Sequence, residues 1–155
     1  MSHCRKNNWS ESLENLFNQQ INLELFACHT YNALHCFFMN DNIGFPGISK
    51  FFKESSDEEM EHARKFMKYQ TMRGGNVKIL SLETPELSFN KDECLLYQAI
   101  EYTLNLEQRV YESINNILNN SNDHSLNNFL FEFVKEQLET QYELGIKLLS
   151  IKRKS

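Results

Sequence analysis

Glu24, Glu59, His62, Glu107 and Gln137 are the residues of this chain whose types and spacing could do chemistry. Glu59-x-x-His62 sets a carboxylate and an imidazole one helical turn apart on one face, where both can reach a common metal ion. Each of the others interrupts an otherwise apolar stripe near its midpoint. Taking an unpaired carboxylate out of water costs several kcal/mol or more. Three glutamates meeting at one level repel unless they are protonated or neutralised by cations. A pair of metal ions is the economical compensation. Hard oxygen donors with a single imidazole suit iron or manganese better than a structural zinc site. The pattern therefore points to a di-iron carboxylate centre. Carboxylate oxygens favour the ferric over the ferrous state, and two adjacent ferrous ions can deliver two electrons to one O2 without releasing a one-electron oxygen radical. Glu-x-x-His alone is common on helical surfaces. The weight rests on four interruptions falling at one level.

Four helices must position these groups. The first stripe runs Leu13, Phe17, Gln20, Glu24, Ala27, Tyr31, Leu34 and Phe38. The second runs Ile48, Phe52, Ser55, Glu59, His62, Phe66 and Tyr69. The third is Leu96, Ile100, Thr103, Glu107, Val110, Ile114 and Ile117. The fourth is Leu126, Leu130, Phe133, Gln137, Thr140, Leu144, Leu148 and Ile151. Steps of three and four keep each series on one helix face. Each segment is close to thirty residues, roughly 43 Å if wholly helical at about 1.5 Å per residue.

The expected boundaries follow from punctuation. Ser10 is an N-cap candidate for the first helix, which ends near Met39 before Asn40-Asp41-Asn42-Ile43-Gly44. Pro46-Gly47 opens the second, and Gly74-Gly75 closes it. The third is expected from near Lys91 to about Asn119 and the fourth from about His124 to Lys152. Short loops make the first pair and the last pair antiparallel. The connection between helices two and three has about seventeen residues and spans up to roughly 56 Å at about 3.3 Å each. That is long enough to cross over and leave those helices parallel, the single-crossover arrangement of ferritin-like bundles. Within it, Val77-Lys78-Ile79-Leu80 has strand-like composition but no partner in the chain.

With 155 residues, two prolines and five glycines, the chain is expected to be one all-α domain over residues 1–155. A net charge of −5 gives no nucleic-acid footprint. The basic end Lys152-Arg153-Lys154 suits the C-terminus of a helix dipole. The cysteines, Cys4, Cys28, Cys36 and Cys94, form no C-x-x-C pair. Cys28 and Cys36 are expected to act as small helix residues. No run reaches transmembrane length, and Met1 to Trp9 has no apolar leader core, so a soluble cytoplasmic protein is expected. His3, His29, His35 and His124 lack ligand spacing.

The motifs resemble ferritin, in order and over nearly the whole length. Asn18-Gln19-Gln20-Ile21-Asn22-Leu23-Glu24-Leu25 is similar to the first-helix signature of ferritin heavy chains. Asp57-Glu58-Glu59-Met60-Glu61-His62-Ala63 resembles the second-helix motif, and Tyr69 to Gly75 the segment closing that helix. Leu104-Asn105-Leu106-Glu107 resembles the third-helix ligand motif. Asn128 to Gln137 resembles the fourth-helix segment, closest to bacterial ferritins. The resemblance implies a non-haem ferroxidase centre. Glu24, Glu59 and His62 would hold one iron, and Glu59 would bridge to a second that meets Glu107 and approaches Gln137. Tyr31 matches the family tyrosine beside the centre, and Glu58 and Glu61 match acidic positions lining its inner side. The implied activity is oxidation of Fe(II) with O2, followed by storage as mineral in a self-assembled twenty-four-subunit cage. The neutral Gln137 leaves the second iron with fewer negative ligands, as suits a site that passes iron on.

Some positions depart from the family pattern. The chain ends at Ser155, where ferritins continue into a short fifth helix, so wider four-fold openings are expected. Arg64 stands where an acidic nucleation residue is common, and Asn127, Asn128 and Leu130 stand where animal ferritins have acidic three-fold channel residues. A rubrerythrin-like peroxide-reducing protein is a weaker reading, for want of a second Glu-x-x-His and of rubredoxin-like cysteines. A non-catalytic subunit co-assembling with other ferritin chains is disfavoured by the intact Glu24, Glu59, His62 and Glu107 set. The crossover resembles the family segment that pairs across a two-fold axis, where Val77 to Leu80 would find its partner strand.

Overall fold

The computed structural model describes residues 8–154; His3, Cys4 and Ser155 lie outside the described residues. Four helices account for most of the chain: α1 (Glu11–Met39), α2 (Pro46–Met72), α3 (Leu95–Asn119) and α4 (His124–Lys154). Contacts divide the chain between Leu87 and Ser88 into two compact units, one built on α1 and α2, the other on α3 and α4. Among the described residues no helix is long and apolar enough to cross a membrane.

The first unit is an antiparallel helix pair, as residue pairs running in opposite directions show: Trp9 with Gln70, Cys28 with Ser56, His35 with Ser49. Ser10 caps α1, its hydroxyl accepting from Leu13 N at 3.1 Å. Pro46 starts α2, where its missing N–H is no loss. Gly74, at φ 85°, ends α2 in the left-handed conformation that glycine adopts without strain.

All eight residues of the expected α1 stripe are buried. The α2 stripe is rotated from expectation: Ser49, Ser56 and Ala63 are buried alongside Phe52, Glu59, Phe66 and Tyr69, whereas Ile48 and Ser55 are only half-buried. Small residues let α2 approach α1. Ser56 donates to Cys28 O at 3.0 Å, and its oxygen lies 3.2 Å from Cys28 Sγ. Cys28 is thus a buried packing residue, as expected, whereas Cys36 is exposed.

A polar clasp ties the chain ahead of α1 to the chain beyond α2. Trp9 Nε1 donates to Gln70 Oε1 at 2.7 Å, and Gln70 Nε2 donates to Glu14 O at 2.9 Å. Glu14 Oε1 accepts from Asn76 N at 2.7 Å, and Asn18 brackets the same strand of chain by bonds to Asn76 O and Lys78 N. The backbone of the expected strand segment therefore begins against a side chain, and Val77 to Leu80 forms no strand. A Cβ on Gly75 would stand 2.6 Å from both Gln70 Oε1 and Trp9 Nε1. Gly75→Ala is expected to break the Trp9–Gln70 bond and to destabilise by about 1–3 kcal/mol. Denaturant unfolding followed by the fluorescence of the single tryptophan reads both effects. An unchanged midpoint and unchanged emission would show that the clasp yields without cost.

In the second unit α3 begins at Leu95, four residues later than expected. The cause is local competition: Asn90 Oδ1 accepts from Asp92 N, Asn90 O accepts from Glu93 N, and Gln98 Nε2 donates to Asn90 O at 2.8 Å. Such side-chain turns offer the backbone an alternative to helix. Asp123 caps α4, its Oδ1 accepting from Leu126 N at 2.9 Å. The α3 stripe is buried from Ile100 to Ile117. On α4, Leu126, Leu130, Phe133, Gln137 and Leu144 are buried, and Leu148 and Ile151 only half so.

Candidate metal centre

Glu24 sits seven residues from both Phe17 and Tyr31, and Glu59 seven from both Phe52 and Phe66, so two turns of helix separate each carboxylate from aromatic packing on either side. Phe17 and Phe66 meet with ring centroids 5.3 Å apart, and Tyr31 stacks on Phe52 at 6.1 Å. A polar layer is thus held between two dry ones. Glu24 is 0% exposed and Glu59 4% exposed. Desolvation is the dominant fact about this layer.

Within it, Glu24, Glu59 and His62 each offer one ligand atom, and these atoms all lie within 4.8 Å of one another. His62 Nδ1 is 3.6 Å from Glu59 Oε2 and 3.9 Å from Glu24 Oε2. Two ligands each about 2.1 Å from one ion are at most about 4.2 Å apart, and both His62 distances fall within that span. The donor set of two carboxylates and one imidazole is also of the right type for iron. Burial pushes the Glu24 carboxyl well above the ordinary range. The Glu59 charge and a side-chain hydrogen bond with Glu59 push the same way, against the opposing pull of His62 and of Gln20. Burial thus favours the neutral form of Glu24 in the metal-free protein, and a bound cation would offset the same desolvation cost.

The remaining expected site residues are placed as follows. Tyr31 is buried two turns beyond Glu24 on the same helix. Glu58 and Glu61 are exposed, and Glu61 pairs with Lys65 at 3.7 Å, an ordinary surface pair. Neither belongs to the three-residue cluster. In the second unit, Glu107 on α3 and Gln137 on α4 are both buried, at 2% and 4% exposure. Gln137 Oε1 accepts no hydrogen bond among the described residues, a costly state for a buried amide oxygen. One contributor was missed from the sequence. Gln20 stands in the stripe by its spacing, yet its Nε2 donates to Glu24 Oε1 at 3.0 Å. The i, i+4 spacing before a buried glutamate was the available signal.

The ferritin-like domain family matches residues 14–153. A ferritin of Pacifastacus leniusculus is 38% identical over 152 residues, covering 96% of this chain and 82% of that protein. A chloroplastic ferritin of Malus baccata var. xiaojinensis is 36% identical over 154 residues, and the chain spans 61% of its length. Among solved structures, ferritin from the green alga Ulva pertusa is similar at 36% identity, with a TM-score of 0.89 over 94% of this chain and 77% of that one. The chain belongs to the ferritin family of iron-storage proteins. Its fold is the all-α, four-helix ferritin-like bundle with a long connection between α2 and α3. Members of this family bind iron and assemble into cages.

Proposed function

We propose that this chain is a ferroxidase-active ferritin subunit, which oxidises Fe(II) with O2 and passes the ferric product to mineral stored inside a cage of assembled copies. One observation carries the reading: two buried carboxylates and an imidazole, from two adjacent helices, converge within 4.8 Å. A purely structural subunit would have no reason to bear the desolvation of Glu24 and Glu59. The family match runs across both units, which supports treating the whole chain as one di-iron domain.

In this reading Glu24, Glu59 and His62 take the first ferrous ion. Glu107 and Gln137 are assigned to the second by their motif positions and burial. Iron here is substrate. Each ferrous ion loses one electron, and O2 accepts both together with two protons, giving hydrogen peroxide and two ferric ions. The carboxylates favour the oxidised state by offsetting its extra charge. Tyr31, buried along the same face as Glu24, is assigned to electron or proton transfer beside the centre. Glu58 and Glu61, exposed on α2, are assigned to handling iron as it leaves. A cytoplasmic location belongs to the same proposal; relatives named chloroplastic show that the family occupies more than one compartment.

The test is aerobic addition of ferrous iron to the metal-free protein, with oxidation followed by absorbance and assembly by light scattering. A fast phase that saturates at two irons per chain is expected, ahead of slower mineral growth. The scattering should report at least a dimer and, by the family likeness, a twenty-four-subunit cage. A monomer at micromolar concentration would remove the storage role and leave a soluble ferroxidase. A single slow phase proportional to all added iron would remove the ferroxidase.

A further inference from the structure

The Glu24 carboxylate lies in a layer with nothing in its own side chain to decide which oxygen faces the cluster, because the terminal torsion of glutamate is broad and roughly two-fold. The decision is made one turn earlier on the same helix. Gln20 is 0% exposed, and its Nε2 donates to Glu24 Oε1 at 3.0 Å. The other oxygen, Oε2, is the one directed toward His62 Nδ1, at 3.9 Å. Both residues are on α1, one turn apart, so the bond needs no contribution from another element.

We propose that Gln20 is a positioning residue of the metal site: by holding Oε1 it makes Glu24 present Oε2 alone to a cation, so that Glu24 binds through one oxygen. The inference rests on the reading of Glu24, Glu59 and His62 as the iron site. With a cation bound, the Glu24 carboxylate is acceptor-only, and only the N–H edge of the Gln20 amide can face it. The bond is then charge-assisted and stronger than one between neutral groups. An apolar side chain of the same length at position 20 would leave Oε1 buried with no donor. The carboxylate would then turn both oxygens to the cation or swing away from it. Either way, the number of oxygens around the metal changes without the loss of any ligand residue.

Co(II), which reports its coordination number in its visible absorption, is the probe. Wild-type protein, Glu24→Gln and Gln20→Met are titrated with Co(II), with helix content and melting followed alongside. Gln20→Met keeps length and helix propensity while removing the N–H. Groups that orient metal ligands are commonly worth about 10–100-fold in affinity. Gln20→Met is expected to lose Co(II) affinity in that range and to change the visible band, while remaining helical. Wild-type binding that Glu24→Gln does not weaken would overturn the reading of the site itself. Wild-type binding lost in Glu24→Gln but matched by Gln20→Met in affinity and band would leave the site standing and overturn the positioning role. A second measurement covers the case in which Gln20→Met does not fold. In infrared difference spectra recorded at Co(II) concentrations high enough to saturate both wild type and Glu24→Gln, the carboxylate stretches present only in wild type should show the wide separation of one-oxygen coordination. A narrow, two-oxygen separation would overturn the proposal.

Discussion

The Glu59→Ala/His62→Ala double variant is expected to lose the fast phase of aerobic ferrous-iron oxidation, with the initial rate falling about 100-fold or more, since even partners that merely orient ligands are worth about 10–100-fold. Both side chains come from α2, one turn apart, and their ligand atoms are 3.6 Å from each other. Removing them takes away two of the three donors that converge. The remaining Glu24 would be a single buried carboxyl whose ionisation burial disfavours, and one such group is a poor site for a cation. The fold should survive. Alanine is the strongest helix former, and the packing above and below this layer is carried by Phe17, Phe66, Tyr31 and Phe52. Stopped-flow absorbance on the variant, with circular dichroism to establish helicity, is the measurement. Initial rates equal to wild type would place the oxidation elsewhere in the molecule.

The reasons these residues could be read from the sequence are also the reasons others could not. On α1 the stripe is unambiguous, because every three- or four-step lands on an apolar residue or on one of the two buried polar residues Gln20 and Glu24. On α2 the same rule chose Ile48 and Ser55, and the helix buries Ser49, Ser56 and Ala63 instead. Apolar periodicity marks what is kept from water, whereas close approach of two helices selects small side chains that a hydropathy reading overlooks. Ser49 shows the difference: its hydroxyl donates to His35 O at 2.9 Å and lies 2.8 Å from His35 Nδ1. The start of α3 failed for another reason, since the Asn90 turn and its Gln98 contact compete with the helix and leave no hydrophobic signature. The chemistry of the site was more legible than its support. Glutamates and a histidine at helical spacing stand out by type. Gln20 did not, because a buried amide reads the same in sequence whether it fills space or holds a ligand.

Glu24→Gln is expected to stabilise the metal-free protein at neutral pH and to remove its response to divalent metal. The Glu24 carboxyl lies well above its ordinary value near 4.5 in the folded chain, first because of burial and then because of Glu59. A group raised on folding contributes its stability in full below the unfolded value, and that contribution is lost as pH rises toward the folded value. The metal-free wild type should therefore lose stability relative to Glu24→Gln as pH climbs above about 4.5, with the gap levelling once the folded carboxyl has ionised. The glutamine can still accept from Gln20 Nε2 through its carbonyl, and its own N–H groups face Glu59 and His62 in place of a repelling charge. Metal acts in the opposite sense. A cation at 100 times its dissociation constant adds about 2.7 kcal/mol to wild type, a rise of about 5–10 °C in Tm for a chain of this size. The increment should grow with pH over the same window, because the cation must displace the Glu24 proton. Thermal unfolding of chelator-treated wild type and Glu24→Gln from mildly acidic to neutral pH, with and without Co(II), measures both effects. Parallel curves for the two proteins would mean that the buried carboxyl at position 24 is not the strained group, and an undiminished Co(II) shift in Glu24→Gln would mean that it is not a ligand.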